Sequence, residues 1–255
     1  MPARWRSWVP EAEDLEPEVI HHDEHLLIIH KPPGLPTTAP TRTEPCLTNW
    51  VRERFPDLRA HATSRLDSQV SGLVTFALSG DANRNLLDAR RAGTYDRVYM
   101  GITIREVSQD QGEWAWPISI DPQDPKRRVA GPGRGEREAV TRYEVVARTA
   151  AATLLRLWPQ TGRTHQLRVH AAKAGVPLFG DLLYHGERRK VLPQGSVVTA
   201  RRVMLHCARV SFPSLSVSRS PGSAPAQRIR LEAPARPDMI RVWQALGGEL
   251  SDLQP

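Results

Sequence analysis

The stretch that decides the fold is residues 64–77, which read SRLDSQVSGLVTFA. Asp67 stands two positions after Arg65, a Ser-Gly turn follows, and the apolar run 73–77 predicts a buried strand. A carboxylate beside an arginine at the mouth of a buried strand has two interpretations. In the first, Asp67 forms a surface salt bridge; in the second, Asp67 is a catalytic aspartate held in a basic pocket. These residues alone leave both interpretations open.

The charge of the chain indicates a polyanionic partner. The 255 residues include 35 Lys plus Arg against 28 Asp plus Glu, and the formal net charge is +7. The remainder of the chain is more basic still, because acids crowd the N-terminal segment at Glu11, Glu13, Asp14, Glu16, Glu18, Asp23 and Glu24. Nucleic acid is the commonest partner of such a protein. The alternative is that the charge serves solubility alone.

Cysteine content and hydropathy exclude several protein classes. The two cysteines, Cys46 and Cys207, form no C-x-x-C pair, which argues against a disulfide framework and a cysteine-rich zinc site and fits a reducing cytoplasm. The sequence contains no run of 18 apolar residues, so we expect no membrane span. Residues 1–17 lack the apolar core of a signal peptide. We expect an irregular leader there that folds onto the domain through Trp5 and Trp8.

Hydrophobic patterning predicts many strands and few helices. The expected strands cover 19–20, 26–30, 72–78, 95–105, 139–148, 153–158, 203–212 and 227–233. The expected helices cover 46–55, 81–92, 164–174 and 237–246, and the expected loops cover 121–138, 186–200 and 213–226. The helices do not alternate regularly with the strands, so the pattern predicts an α+β fold with a mixed, mostly antiparallel sheet.

A second segment, residues 160–170, reads QTGRTHQLRVH. Thr164 is placed to cap the helix that follows, and Arg163 and Arg168 gather near the positive helix N-terminus. Such a cluster attracts a phosphate or holds a carboxylate. His165 and His170 stand five positions apart, which does not fit the i, i+4 spacing of a zinc site. Each of these side chains, taken alone, is also compatible with an ordinary structural or solvated role.

Together the two segments resemble the motifs of the RluA-like family of pseudouridine synthases. Residues 64–72 match the H-R-L-D-x-x-T-S-G motif of that family, and residues 162–170 match G-R-T-H-Q-[IL]-R-[VI]-H. Further matches follow the order of the family at KPPGLP (31–36), RVY (97–99), PLFGDLLY (177–184) and RVMLHC (202–207). The resemblance covers 18–245. Three departures are Ser64 for the usual histidine, Val70 for threonine and Arg97 for lysine, and they bear on target preference.

The resemblance implies a fold, an activity and partners. After the leader expected over 1–17, it implies a catalytic domain over 18–255 with the pseudouridine synthase fold. This fold is an α+β architecture whose central sheet is flanked by helices and loops around a basic catalytic cleft. The implied activity is the isomerisation of uridine in ribosomal or transfer RNA, without a metal or an organic cofactor. We expect a cytoplasmic monomer with RNA as its partner, no membrane association and no obligate protein partner.

The resemblance also assigns catalytic residues. Asp67 is the implied nucleophile, and it acts on a uridine that has left its stack. Arg168 is expected to pair with Asp67, which keeps the carboxylate ionised and aimed. Tyr99 is expected to stack on the flipped base and to take part in moving a proton from it.

The implied substrate-binding residues surround these three. Arg65 either fills the space that the base leaves or holds its phosphate, and Leu205, or alternatively Val203, lines the apolar side of the pocket. The remaining candidates are Arg163, Thr164, His165 and Gln166. The basic segments 126–137 and 187–202 are candidates for holding the RNA backbone, and their alternative is again solubility.

The sequence is also compatible with two other functions. The first alternative is a non-catalytic RNA-binding protein on a synthase scaffold. The second is a hydrolase that uses Asp67 with a second carboxylate such as Asp181. The presence of Asp67, Tyr99 and Arg168 argues against a pure binder. Glycoside hydrolysis requires two carboxyl groups at a defined separation, and it would release free uracil.

Overall fold

The structure, a computed structural model of the chain, describes residues 16–215 and 227–254. Its strands, in chain order, are β1 (Glu18–His22), β2 (Leu26–Lys31), β3 (His61–Ala62), β4 (Ser71–Ala77), β5 (Asp96–Thr103), β6 (Gln111–Trp114), β7 (Ile118–Ile120), β8 (Arg128–Ala130), β9 (Thr141–Arg148), β10 (Thr153–Pro159), β11 (Arg189–Val191), β12 (Val197–Thr199), β13 (Leu205–Pro213) and β14 (Arg228–Glu232). Its α-helices are α1 (Leu47–Arg54), α2 (Gly80–Arg91), α3 (Gln166–Lys173) and α4 (Pro237–Ala245). Short 3₁₀ helices cover Leu182–Tyr184 and Leu250–Leu253.

Two sequence-based expectations fall beyond these residues. The packing of a leader through Trp5 and Trp8 lies outside the described residues, as does most of the predicted connection 213–226. Within the described part of the chain, none of the helices has the length and apolar character needed to cross a membrane.

One compact unit consists of the described residues up to Arg97 and those between Cys207 and Ala233. Its strands lie in the order β1-β2-β4-β13, with β3 beside β4 and β14 beside β13. The pairs β1–β2, β2–β4, β3–β4 and β13–β14 are antiparallel. Every residue of β2 and β4 is buried, and α2 packs against β4. The loop that carries Asp67 therefore leads directly into a buried strand.

The second compact unit consists of Val98–His206 and the described residues from Pro234 onward. Its strands lie in the order β5-β10-β9-β6, and each pair in this series is antiparallel. Two small hairpins, β7–β8 and β11–β12, accompany them. Helix α3, which carries Arg168, packs against β9 and β10.

The α+β class with a mostly antiparallel sheet is confirmed, and so are the four predicted helices. Each helix begins and ends within two residues of its predicted bounds. Gly93 and Gly175 follow the C-cap residues of α2 and α3, and they have positive φ angles of 67° and 80°. Glycine adopts this conformation readily, which is why it ends helices. The assignment of 18–255 to one catalytic domain stays a prediction.

Two local predictions are wrong. Thr164 does not cap α3; His165 occupies that position in a left-handed conformation with φ of 58°, and its side chain makes no capping hydrogen bond. The amide oxygen of Gln166 organises this turn instead, because it accepts the backbone N–H of Arg163 and the hydroxyl of Thr161. The predicted loops 121–138 and 186–200 also contain strands, β8 in the first and the β11–β12 hairpin in the second. Three-residue strands are too short to show a period.

A close backbone approach at Gly72 fixes the start of β4. Gly72 has φ of +118°, and a Cβ atom on it would collide with the backbone nitrogen, carbon and oxygen of Cys207. No flexible side chain lies there to move aside. Only glycine therefore permits this approach, five residues after Asp67.

We expect Gly72→Ala to lower the free energy of unfolding by at least about 2 kcal/mol, because it combines an unfavourable φ with a backbone clash. Gly80→Ala is the matched control, since Gly80 starts α2 and no atom lies within 4 Å of its added Cβ. That control should be neutral or gain about 0.4–1 kcal/mol. Urea unfolding followed by tryptophan fluorescence measures both. Equal stabilities of the two variants would contradict the clash.

Candidate active site

A buried ammonium group holds the loop that carries Asp67. Lys31 is 0% exposed at the end of β2. Its Nζ donates hydrogen bonds to the carbonyl oxygens of Pro32, Leu35 and Ser68 at 2.8, 2.7 and 3.3 Å. The backbone N–H of Gly34 donates to the same Ser68 carbonyl at 2.7 Å. The Lys-Pro-Pro-Gly segment therefore fixes the backbone immediately after Asp67.

Two hydroxyl groups hold the loop on the other side of Asp67. The Thr37 hydroxyl donates to the carbonyl of Leu66 at 2.9 Å and accepts the backbone N–H of the same residue at 3.0 Å. The Ser64 hydroxyl accepts the backbone N–H of Thr75 in β4 at 2.9 Å. Ser64, one of the three departures from the family motif, thus ties the loop to the buried strand.

The exposed face of this loop carries two candidate residues. Asp67 is half-buried, while Arg65 is exposed. The neighbouring apolar residues, Leu66 and Val70, point inward and are 7% and 3% exposed. The loop therefore presents an aspartate and an arginine while its apolar side chains and backbone are held by the protein.

Arg168 forms a buried ion pair that the sequence did not predict. Its Nε and Nη2 donate to Oδ2 and Oδ1 of Asp181, each at 2.7 Å, and both side chains are almost fully buried. This two-point geometry fixes the plane of the guanidinium group. The expected pairing of Arg168 with Asp67 stays a prediction.

Tyr184 lies against the same guanidinium group. The Cζ atom of Arg168 stands 5.0 Å from the centroid of the Tyr184 ring. The phenol oxygen of Tyr184 accepts the backbone N–H of Arg128 at 3.0 Å and lies 2.7 Å from Nδ1 of His165. One tyrosine therefore touches α3, the residue before α3 and the basic segment 126–137.

Gln166 uses its whole amide group within the protein. Its Oε1 accepts from Thr161 and Arg163, as described for the turn before α3, and its Nε2 donates to the Val140 carbonyl at 2.9 Å and to the Thr141 hydroxyl at 3.0 Å. An amide has two donor and two acceptor positions, and all four are occupied. This arrangement is that of a residue which positions α3. Its predicted contact with substrate stays a prediction.

His170 continues this hydrogen-bond chain. Its Nε2 donates to the Trp116 carbonyl at 2.9 Å, because a carbonyl only accepts, and its Nδ1 lies 3.0 Å from the Thr141 hydroxyl. Burial lowers the pKa of His170 below its ordinary value of 6.5, although the bond to Trp116 acts in the opposite direction. The imidazole is therefore neutral and anchors α3 to β9.

The remaining candidates divide into buried and exposed residues. Tyr99 is 6% exposed in β5, opposite Leu157 of β10, and Leu205 is 3% exposed at the start of β13. Arg163 and Thr164 are exposed, and Nε of Arg163 donates to the Glu138 carbonyl at 2.8 Å. The roles of these four residues in substrate binding stay predictions.

Arg202 holds the backbone from which Leu205 extends. Its Nη1 donates to the carbonyls of Val203 and Leu205 at 2.9 and 3.2 Å, and Nε and Nη2 bind the carboxylate of Asp238 at 2.6 and 2.8 Å. Burial alone would raise the pKa of Asp238, but the charge and hydrogen bonds of Arg202 outweigh it and lower that pKa. The Arg-Val-Met-Leu segment is thus anchored to α4.

Comparison with known proteins places the chain in a family. A sequence model described as RNA pseudouridylate synthase matches residues 25–173. The dual-specificity RNA pseudouridine synthase RluA of Vibrio cholerae serotype O1 is 34% identical over 198 residues, which are 76% of this chain and 76% of that protein. The chain belongs to the RluA-like family of pseudouridine synthases.

Other relatives of this RluA-like chain agree. The ribosomal large subunit pseudouridine synthase D of Pseudomonas aeruginosa is 32% identical over 90% of this chain and 71% of its own length. The solved structure of human RNA pseudouridylate synthase domain containing 4 superposes with a TM-score of 0.68, at 21% identity, over 90% of this chain and 92% of its own. At that identity the match supports the fold alone, and it confirms the predicted pseudouridine synthase fold.

Sequence reasoning on this RluA-like chain missed three supporting side chains. Asp181 and Tyr184 lie in the quoted PLFGDLLY segment, so their presence was noted but their contact with Arg168 was not. The segment reads as a turn, and nothing in its spacing indicates which arginine it meets. Thr37 carries no sequence signal, because a single threonine in a loop is compatible with any role.

We expect Lys31→Met to lower the free energy of unfolding by about 2–4 kcal/mol and to reduce the catalytic rate, since it leaves buried carbonyls without their donor. Lys173→Met is the matched control, because Lys173 is exposed on α3. Urea unfolding and single-turnover rates under fully folded conditions measure the two effects. Wild-type rate in folded Lys31→Met would show that the ammonium group does not position the Asp67 loop.

We expect the stability of the protein to fall below pH 6.5 through His170. The unfolded chain protonates this histidine near its ordinary pKa of 6.5, whereas the folded protein keeps it neutral. Each pH unit below 6.5 therefore costs up to about 1.4 kcal/mol until the lowered pKa is reached. In urea unfolding between pH 7.5 and 5.5, His170→Gln should lose less stability than the wild type. Parallel pH dependences would contradict the assignment.

Proposed function

We propose that this chain isomerises specific uridines of ribosomal or transfer RNA to pseudouridine, with Asp67 as the nucleophile. Family membership establishes the enzyme class. The names of two relatives support an RNA substrate, since one is called a dual-specificity RNA pseudouridine synthase and the other a ribosomal large subunit pseudouridine synthase.

The observation that carries this proposal is the way in which the Asp67 loop is held. Lys31 fixes the backbone after Asp67, and Thr37 and Ser64 fix the backbone before it. Asp67 itself is only partly buried. A nucleophile needs both properties, because it must be aimed in advance and must still be reached by the substrate.

The reaction conserves every atom of the nucleotide. The bond between uracil N1 and C1′ of ribose breaks, the uracil turns, its C5 bonds to C1′, and the proton of C5 leaves as N1 gains one. Asp67 acts either by attacking C1′ or by assisting ionisation toward a glycal, and both routes use an ionised carboxylate. The leaving group is also the incoming group, so the proposed chemistry uses neither a metal nor an organic cofactor.

Arg168 is the proposed partner that keeps Asp67 ionised. The ion pair with Asp181 engages Nε and Nη2 of the guanidinium group. Arginine carries five N–H donors, so the Nη1 group is chemically able to serve a second carboxylate. In this proposal Asp181 sets the orientation of Arg168, and Arg168 in turn stabilises the anionic form of Asp67.

Tyr99 and Leu205 are the proposed contacts of the flipped base. Removing a uridine from its stack costs a few kcal/mol, and stacking on an aromatic ring returns about 1–3 kcal/mol. Tyr99 offers that ring, and Leu205 offers an apolar wall. Arg65, exposed beside Asp67, is the proposed occupant of the vacated space or the ligand of the phosphate.

The basic segments are the proposed contacts of the RNA backbone. The segment 126–137 surrounds β8, and its exposed cations are Lys126, Arg134 and Arg137. The segment 187–202 contains the β11–β12 hairpin, and its exposed cations include Arg188, Arg189 and Arg201. Phosphate contacts from such residues provide affinity that does not depend on sequence. We further propose a cytoplasmic monomer that needs no protein partner.

The contacts of Asp181 disfavour the hydrolase alternative. Both of its oxygens accept hydrogen bonds from Arg168, and its side chain is 1% exposed. A carboxylate held in this way is not placed to activate a water molecule as the second acid of a glycosidase. Family membership and the firmly held Asp67 loop also disfavour a protein that only binds RNA.

We expect Asp67→Asn to reduce pseudouridine formation by at least about a thousandfold, because the amide neither attacks nor stabilises a developing positive charge. Stability and RNA affinity should stay close to wild type. The assay follows release of tritium from RNA labelled at uridine C5, the carbon that forms the new bond. Asp57→Asn, an exposed aspartate of the same unit, is the control. Wild-type turnover by Asp67→Asn would remove the nucleophile assignment, and release of free uracil by the wild type would replace isomerisation with hydrolysis.

A further inference from the structure

One side chain, Tyr184, stands between the candidate catalytic arginine and the basic segment 126–137. Tyr184 ends the 3₁₀ helix Leu182–Tyr184 and is 3% exposed, whereas the two leucines before it are 62% and 37% exposed. The short helix therefore turns its polar aromatic residue inward and leaves its apolar residues outside. This inversion of the usual preference indicates that Tyr184 is kept for a specific contact.

The ring of Tyr184 contacts the guanidinium group of Arg168. The guanidinium carbon stands 5.0 Å from the ring centroid, within the range of a cation–π contact. Asp181, three residues earlier in the same turn, binds the guanidinium edge through both carboxylate oxygens. The turn formed by residues 181–184 therefore binds Arg168 twice: Tyr184 contacts the face of the guanidinium group, and Asp181 binds its edge.

The hydroxyl of Tyr184 binds the backbone of the basic segment 126–137. It accepts the backbone N–H of Arg128 at 3.0 Å, and the ring lies 5.9 Å from the guanidinium carbon of Arg127. It also lies 2.7 Å from Nδ1 of His165, the residue with φ of 58° that precedes α3. The hydroxyl therefore joins the segment proposed to hold RNA to the helix that carries Arg168.

We propose that Tyr184 is a positioning residue that couples the RNA contacts of segment 126–137 to the orientation of Arg168. This inference rests on the proposed function. The two halves of the side chain have separate tasks: the hydroxyl fixes the backbone of the segment at Arg128, and the ring fixes Arg168. RNA phosphates that hold the segment also hold Tyr184 in place under the guanidinium group.

The separation of tasks is tested by two substitutions. Tyr184→Phe keeps the ring and removes the hydroxyl, so KM for RNA should rise about fivefold while kcat stays within about twofold. Tyr184→Leu removes both halves, so kcat should also fall at least about tenfold. The substrate is whichever transcribed ribosomal or transfer RNA the wild type converts, and tritium release from uridine C5 measures both constants.

Tyr95→Phe is the matched control. Tyr95 is also a buried tyrosine, 8% exposed, and its hydroxyl makes a hydrogen bond of 2.8 Å with Thr75. It touches neither Arg168 nor segment 126–137 in the contacts described for the chain. A loss of stability alone would affect both Phe variants alike, and it would lower the active fraction without raising KM.

A second measurement does not depend on activity. The amide proton of Arg128 should exchange with solvent at least about tenfold faster in Tyr184→Phe, because its acceptor is gone, and at the wild-type rate in Tyr95→Phe. Unchanged exchange at Arg128, or an unchanged KM in Tyr184→Phe, would overturn the coupling. A wild type that forms no pseudouridine would instead overturn the proposed function, and the exchange result would still decide whether Tyr184 holds the segment.

Discussion

The buried ammonium group of Lys31 is the interaction on which the candidate site depends. A lysine at 0% exposure is costly unless its donors are satisfied, and here three carbonyl oxygens satisfy them. Two of those carbonyls belong to its own Lys-Pro-Pro-Gly segment, and the third follows Asp67 directly. The prolines prevent this segment from continuing the strand. The hydrogen bonds of the Lys31 ammonium group instead tie the segment to the loop that carries Asp67.

Three buried cations satisfy their hydrogen-bond donors in different ways, and each fixes a different segment of the chain. Lys31 binds three carbonyls, Arg168 binds a carboxylate and an aromatic face, and Arg202 binds a carboxylate together with two carbonyls. Buried ion pairs add little net stability against apolar replacements, but they fix orientation. Their presence around Asp67, α3 and the start of β13 suits an enzyme that must place several groups before its substrate arrives.

The sequence predicted the parts of this protein in which a long period or a contiguous motif exists. The buried strands β2 and β4 and the four helices followed from hydrophobic patterning, and the Asp67 and Arg168 motifs followed from their order along the chain. The β8 strand was missed because Gly, Pro and Arg mask a three-residue strand. The contact of Arg168 with Asp181 was missed because the partner of an arginine depends on how a turn closes, as does the left-handed His165 that displaced Thr164 from the cap.

The ion pair of Asp181 also bears on why this fold isomerises instead of hydrolysing. A sugar carbon that has lost its base reacts with any activated water, and a second free carboxylate near it would act as the general base that activates one. Here the second carboxylate is neutralised by Arg168 and buried. In the proposed reaction Asp67 is then the carboxylate that acts on the sugar, and the detached uracil is the nucleophile that returns through carbon.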